Sequence, residues 1–203
     1  MSRTDPMAVP PSSASLANVP NALTMLRLAL VPVFIAALSW SVDNPQWRYV
    51  SAVVFLVASI TDFVDGDLAR RRDQVTTFGK IADPIADKAL IGAALIGLSL
   101  LGELSWWVTA VIVVREVGVT ALRFWVIEHG VIPASRGGKV KTVLQIVAIL
   151  AYLWPWPDGV HWVAQLLMLA AVVVTVVTGL DYVMRALRLR RSATATPPAP
   201  SGR

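Results

Sequence analysis

The chain has 203 residues, of which 56% are hydrophobic and only 15% are charged, and its formal net charge is +5. Soluble domains carry about 25% charged residues, so this composition indicates a single membrane-embedded domain and argues against a nucleic-acid-binding protein. Because the sequence has no cysteine, disulfides, thiolate metal sites and cysteine nucleophiles are excluded.

The hydropathy pattern divides the chain into two tails and an all-α domain. Residues 1–20 and 191–203 are rich in small residues and proline, so we predict disordered tails there. Residues 21–190 are predicted to form a polytopic membrane domain with six transmembrane helices. Each apolar segment is near the ~20 residues needed to span a bilayer. The segments are roughly 22–40, 49–70, 79–101, 105–128, 139–155 and 160–187.

Lysine, arginine and tryptophan predict the orientation of these helices. The links after the second and fourth segments and the C-terminal flank are rich in lysine and arginine, whereas the opposite side has only Arg48. By the positive-inside rule, both termini lie in the cytoplasm of a multi-pass protein in the cell membrane. The positive charge on that side would face anionic lipid. An aromatic belt is predicted at the other ends, from Trp40, Trp47, Trp106, Trp107, Trp154, Trp156 and Trp162.

The first apolar segment begins with a polar strip. Asn21 follows a proline and is a candidate N-cap. Helical spacing places Thr24, and either Arg27 or Leu28, on the same face as Asn21. Two interpretations remain open: a cap followed by a snorkelling arginine, or a polar strip that contacts a nucleotide or its pyrophosphate.

Four aspartates lie at helical spacing in the second and third segments. The first pair is Asp62 and Asp65, three residues apart, and the second pair is Asp83 and Asp87, four residues apart. Each pair shares one helical face. Ionisable residues at membrane depth mark a functional site by default, and converging carboxylates need cations to offset their repulsion. Oxygen ligands favour hard divalent ions, so the pattern predicts a Mg²⁺ or Mn²⁺ site on the cytoplasmic side.

The stretch from Asp62 to Asp87 resembles the signature of the CDP-alcohol phosphatidyltransferases. It reads Asp-x2-Asp-Gly-x2-Ala-Arg, then eight residues, then Gly-x3-Asp-x3-Asp, and every defined position matches. The resemblance implies an integral membrane enzyme that transfers a phosphatidyl group from CDP-diacylglycerol to an alcohol and releases CMP. It also implies a homodimer surrounded by membrane lipid. It also implies two divalent ions held by the four aspartates, with Asp87 taking the proton from the attacking hydroxyl.

The same resemblance implies which residues contact the donor. Arg70 matches the arginine that contacts the nucleotide diphosphate in this family, and Thr76 falls where another nucleotide contact is often found. Gly66 is small enough for a ligand to approach the backbone closely. The family often carries a Pro-Asn-x-Leu-Thr-x2-Arg run like the one here, which adds Asn21, Thr24 and Arg27 to the expected CDP-diacylglycerol contacts.

A second polar group in the fourth and fifth segments is a candidate acceptor site. Arg115 and Glu116 are expected to face the interior, where Glu116 pairs with an arginine as a structural lock or as part of a site. Helical spacing puts Lys141 and Gln145 on one face. Lys139 and Lys141 either bind lipid head groups or converge with Arg115 on a second phosphate. The run Gly-Lys-x-Lys-Thr-x2-Gln resembles the branch of the family that uses sn-glycerol 3-phosphate, so we expect that acceptor and phosphatidylglycerophosphate as product.

Other functions remain as alternatives. A CDP-diacylglycerol-dependent cardiolipin synthase and a phosphatidylinositol-phosphate synthase share the motif, because the motif handles the donor and not the acceptor. A non-catalytic ion carrier would need acids near mid-bilayer on several helices, whereas these acids cluster at the ends of two. A structural membrane protein held by buried ion pairs has no reason to keep four acids at helical spacing.

Overall fold

The described residues of the computed structural model, 19–72, 77–126, 136–157 and 159–195, form six α-helices. Side chains are described within residues 22–61, 88–122, 138–157 and 159–188. Each predicted apolar segment coincides with one helix, which confirms the all-helical prediction. The helices are α1 Val19–Trp40, α2 Gln46–Arg72, α3 Thr77–Leu100, α4 Trp106–Val126, α5 Arg136–Leu153 and α6 Trp162–Ala195.

The helix ends lie close to the predicted boundaries. α1 begins two residues before residue 21, and α6 continues past residue 190, where the predicted domain ends, to Ala195. Residues 1–18 and 196–203 of the two predicted tails lie outside the described residues. The disorder of these tails therefore stays a prediction.

Successive helices run in opposite directions. Arg48 at the start of α2 reaches Glu103, just after α3, and the backbone carbonyls of Tyr152 and Leu153 at the end of α5. The ends of α3 and α5 therefore lie beside the start of α2. This end of the bundle is called the aromatic end, and the opposite end, where α2 finishes and α3 begins, is called the motif end.

The core of the bundle is formed by buried apolar side chains from all six helices. Phe34 of α1 and Phe55 of α2 are fully buried, with ring centroids 5.7 Å apart. α1 also packs closely on α3 at Gly97, where a Cβ atom would lie 2.5 Å from Leu38 Cδ2. Small residues allow helices to approach in this way. α1 also contacts α2, so it packs against both helices that carry the aspartate motif.

The link after α3 is shaped by a glycine with left-handed backbone. Gly102 has φ 74°, its amide donates to the Ser99 carbonyl at 3.1 Å, and the Glu103 amide donates to the Leu98 carbonyl at 3.0 Å. These two bonds form a Schellman motif, in which a residue at positive φ satisfies the last helical carbonyls. The turn brings Glu103 to the guanidinium of Arg48.

All seven tryptophans of the predicted belt lie at the aromatic end. They occupy the end of α1, the starts of α2, α4 and α6, and the link between α5 and α6. Six of them are 39–58% exposed: Trp40, Trp106, Trp107, Trp154, Trp156 and Trp162. Tryptophan concentrates at membrane–water interfaces because its ring is apolar and its N–H is polar.

Two helical stretches within the described residues are long and apolar enough to cross a membrane, Ala22–Trp40 and Trp162–Arg188. α3 contains a shorter apolar stretch, Lys88–Leu100. The remaining helices also expose large apolar side chains, among them Val53 and Val57 of α2, Val114 and Val117 of α4, and Val143 and Val147 of α5. These surfaces indicate a membrane protein, and the number and direction of its spans stay predictions.

Candidate active site

The aspartate motif occupies the motif end of α2 and α3. Asp62 and Asp65 lie in α2, and Asp83 and Asp87 lie in α3, which runs on through Pro84. Because both stretches are helical, the spacing places each pair of aspartates on one helical face, as predicted. α2 and α3 are consecutive, antiparallel and in contact.

The chemistry of this donor set fits hard divalent cations, since carboxylate oxygens are the ligands that Mg²⁺ and Mn²⁺ prefer. The side chains of residues 62–87 lie outside the described residues. The ligand roles of the four aspartates and the donor contacts of Gly66, Arg70 and Thr76 therefore remain predictions. The side chain of Asn21 also lies outside the described residues.

The polar strip of α1 faces the interior of the bundle. Thr24 is 2% exposed and Arg27 is fully buried, on the helix that packs against α2 and α3. A snorkelling arginine would extend its charged group into water. Burying a guanidinium costs free energy unless opposite charge or hydrogen bonds compensate. The burial of Arg27 therefore favours a polar strip inside the bundle over a surface anchor.

A second cluster joins α4, α5 and α6, and it is called the Glu116 cluster. Glu116 Oε1 accepts hydrogen bonds from Arg115 Nη1, at 3.2 Å, and from Lys141 Nζ. Arg115 Nη2 donates to Thr178 Oγ1 at 3.1 Å. The expected pairing of Glu116 with an arginine is present, and the structure adds a lysine and a threonine to it.

Close helix packing makes room for this cluster. A Cβ atom at Gly179 would lie 3.0 Å from Arg115 Cγ, so the glycine lets the arginine stem lie against α6. One turn along α5 from Lys141, Gln145 is 1% exposed and donates to Thr175 Oγ1 at 3.0 Å. The predicted shared face of Lys141 and Gln145 therefore points into the bundle, where Lys141 meets Glu116 of α4 and Gln145 meets Thr175 of α6.

A cavity of about 90 Å³ lies beside the Glu116 cluster, between α3, α4 and α5. Lys88 on its wall directly follows Asp87, the last aspartate of the motif. The cavity therefore begins next to the point where the motif ends. Its polar wall is Lys88, Glu116, Lys141 and Thr142, and its apolar wall is Ile91, Gly92, Leu95, Ile96, Ile112, Val113 and Val117.

The predicted acceptor residues are only partly brought together. Arg115 and Lys141 meet on one carboxylate, whereas Lys139 is exposed and lies two residues from the buried Lys141, on another face of α5. Sequence reasoning missed Lys88 and Thr178. The position of Lys88 directly after the motif was an available signal, but a threonine among the apolar residues of α6 gave none.

Comparison with known proteins agrees with the motif. The family model for CDP-alcohol phosphatidyltransferase matches residues 17–177. A probable phosphatidylglycerophosphate synthase from Mycobacterium tuberculosis is 53% identical over 176 residues, covering 86% of this chain and 84% of the relative. A CDP-diacylglycerol–glycerol-3-phosphate 3-phosphatidyltransferase from Bacillus subtilis is 38% identical over 186 residues, covering 81% and 93%. The enzyme of that name from Escherichia coli K12 is 37% identical over 179 residues, covering 83% and 94%.

The bond between Arg115 and Thr178 leads to a prediction about stability. Thr178→Val removes the acceptor of a partly buried guanidinium, which should lower the free energy of unfolding by ~1.5–3 kcal/mol. Thr120→Val is the matched control: each threonine hydroxyl donates to the carbonyl four residues earlier, but Thr178 alone of the two accepts from Arg115. Thermal unfolding in detergent measures both variants, and equal losses would contradict a contribution from the Arg115 bond.

Proposed function

This chain belongs to the CDP-alcohol phosphatidyltransferase family, and we propose that it transfers a phosphatidyl group from CDP-diacylglycerol to sn-glycerol 3-phosphate. The products are phosphatidylglycerophosphate and CMP, and the pathway is phospholipid biosynthesis. The names of the relatives from Bacillus subtilis and Escherichia coli support this reaction. Within the structure, the observation that carries the acceptor assignment is the Glu116 cluster beside a cavity that begins one residue after Asp87.

The donor half of the reaction belongs to the motif end. Asp62, Asp65, Asp83 and Asp87 are proposed to hold two Mg²⁺ or Mn²⁺ ions. Bound there, such ions neutralise the pyrophosphate and stabilise the charge that develops on the departing CMP. Further contacts to CDP-diacylglycerol are proposed for Asn21, Thr24, Arg27, Gly66, Arg70 and Thr76. The full burial of Arg27 supports its place in this set.

Asp87 is proposed as the general base. It takes the proton from the attacking hydroxyl of the acceptor while that oxygen bonds to the phosphorus bearing the diacylglycerol. The bond from this phosphorus to the oxygen of CMP then breaks. A base must lie within hydrogen-bond reach of the proton it removes, and the position of Asp87 next to the cavity wall at Lys88 supports this role.

The acceptor half belongs to the Glu116 cluster. Arg115 and Lys141 carry two positive charges and Glu116 carries one negative charge, which leaves a net charge of +1. Charge-assisted hydrogen bonds from such a site favour a phosphate over a neutral acceptor such as serine or free inositol. Inositol phosphate also bears a phosphate, so the choice of glycerol 3-phosphate rests on the relatives. Lys139, exposed on a neighbouring face, is proposed as a third contact to the acceptor.

The assignment of the acceptor is tested by incubating purified protein with CDP-diacylglycerol, Mg²⁺ and one acceptor at a time. The panel is glycerol 3-phosphate, glycerol, serine, inositol, inositol phosphate and phosphatidylglycerol, and mass spectrometry identifies the lipid formed. We expect phosphatidylglycerophosphate with stoichiometric CMP, and no efficient product from the other acceptors. Turnover of another acceptor with none of glycerol 3-phosphate would overturn the acceptor and leave the donor half standing.

The role of Asp87 leads to a second prediction. Asp87→Asn should lower kcat by ~10²- to 10⁴-fold, the usual range for loss of a general base, while binding of CDP-diacylglycerol is largely retained. Asp67→Asn is the control, because Asp67 lies within the motif stretch, in α2, but off the motif spacing. Loss of donor binding in Asp87→Asn would make this residue mainly a ligand and assign proton removal to another group.

The membrane arrangement is proposed to comprise six spans over residues 21–190, with both termini and the motif end in the cytoplasm. The excess of lysine and arginine in the motif-end links and the tryptophans at the aromatic end support this direction. A lipid donor then reaches the site with its head group in water and its acyl chains in the bilayer. A homodimer is proposed from the family resemblance alone.

The proposed orientation can be tested by cysteine labelling, because the sequence contains no cysteine. Asn44 is exposed in the link between α1 and α2 at the aromatic end, and Ser192 lies near the end of α6 at the motif end. A membrane-impermeant thiol reagent applied to intact cells should label Asn44→Cys and not Ser192→Cys, until the membrane is permeabilised. The reverse pattern would invert the orientation.

A further inference from the structure

We infer that Glu116 is a positioning residue for the acceptor site, which holds Lys141 and Arg115 in place to receive the acceptor phosphate. The inference rests on the proposed function, because it assigns a role within that reaction. Glu116 carries a negative charge in a site that is proposed to bind an anion. Because a carboxylate repels a phosphate, its presence in that site requires an explanation.

The burial of Lys141 is the first observation. Lys141 is 4% exposed, and the cavity beside its ammonium group is walled largely by apolar side chains such as Ile112 and Leu95. An ammonium group in such surroundings is costly unless an anion accompanies it. Glu116 supplies that anion from α4, so it offsets the charge of the lysine when no acceptor is bound.

The geometry of the carboxylate is the second observation. One oxygen, Oε1, accepts from both Lys141 and Arg115, and Arg115 is held on its other side by Thr178. The two cations therefore share one fixed anchor, which sets the distance between the ammonium and the guanidinium. A guanidinium has five N–H donors, and the bonds of Arg115 to Glu116 and Thr178 use two of them, so Arg115 keeps donors for a phosphate. Preorganised donors of this kind bind an anion without reorganising when it arrives.

The alternative role for Glu116 is that of a competitor, which occupies the place of the phosphate. Glu116 lines the cavity, and a carboxylate and a phosphate compete for the same donors. If Glu116 occupied the place of the phosphate, its removal would strengthen acceptor binding. The positioning role predicts weaker binding instead, because the cluster would lose the anion that orients its cations. The two roles therefore differ in the sign of one measurable change.

The test compares steady-state kinetics of Glu116→Gln with the unaltered enzyme, varying glycerol 3-phosphate and CDP-diacylglycerol in turn. We expect the KM for glycerol 3-phosphate to rise by roughly 10- to 100-fold, as for loss of a group that orients direct ligands, with the KM for CDP-diacylglycerol changed less than about twofold. Glu116→Asp, which keeps the charge, should recover part of the loss. If Glu116→Gln does not fold, Glu116→Asp becomes the test. Its KM for glycerol 3-phosphate should then rise while its KM for CDP-diacylglycerol changes little.

Glu103→Gln is the matched control, because it removes another glutamate that pairs with a cation on a different helix, at the aromatic end. This variant should lower thermal stability without raising the KM for glycerol 3-phosphate relative to the KM for CDP-diacylglycerol. A lower acceptor KM in Glu116→Gln would identify Glu116 as a competitor of the phosphate. A loss of stability with both KM values unchanged would make it structural only, and either result overturns the inference. Failure of the unaltered enzyme to use glycerol 3-phosphate would instead refute the proposed function.

Discussion

Charge inside an apolar helix bundle must be offset where it lies, and this constraint shapes two ionic clusters among the described side chains. At the aromatic end, Arg48 is held by Glu103 and by carbonyls at the end of α5. Deeper in the bundle, Glu116 gathers Arg115 and Lys141. Buried ion pairs contribute little net stability compared with apolar packing. Their value here is that they fix which helices are neighbours, and α5 takes part in both.

The two halves of the proposed reaction meet along α3. This helix carries Asp83 and Asp87 of the motif, and the next residue, Lys88, lines the cavity beside the Glu116 cluster. α1 packs on α3 through the close approach at Gly97 and brings the buried Arg27 to the same side. The single helix α3 therefore connects the donor region with the acceptor region, which suits a reaction that requires two substrates to be aligned.

Much of the fold was predictable, because the signals for it are local. Hydropathy and turn residues gave six helices whose ends fall within a few residues of the observed ones, except at the end of α6. The aspartate motif was identified by spacing alone. The pairing of Glu116 with Lys141 was not predictable, because these residues are 25 positions apart and meet only because α4 and α5 both pack on α6. The contrast between buried Lys141 and exposed Lys139 likewise depends on which face of α5 meets its neighbours.

The hydrogen bonds that satisfy the last carbonyls of α5 affect which residues the link between α5 and α6 can contain. A helix leaves its last four carbonyls without partners inside the helix, and here each has a donor from elsewhere. The Leu150 carbonyl accepts from the Trp154 amide, and that of Ala151 from the Trp156 indole. The carbonyls of Tyr152 and Leu153 accept from Arg48. Side chains supply three of these four donors, so the link after α5 needs few backbone amides to satisfy the helix end. It can therefore hold two prolines, whereas many helices end in glycine.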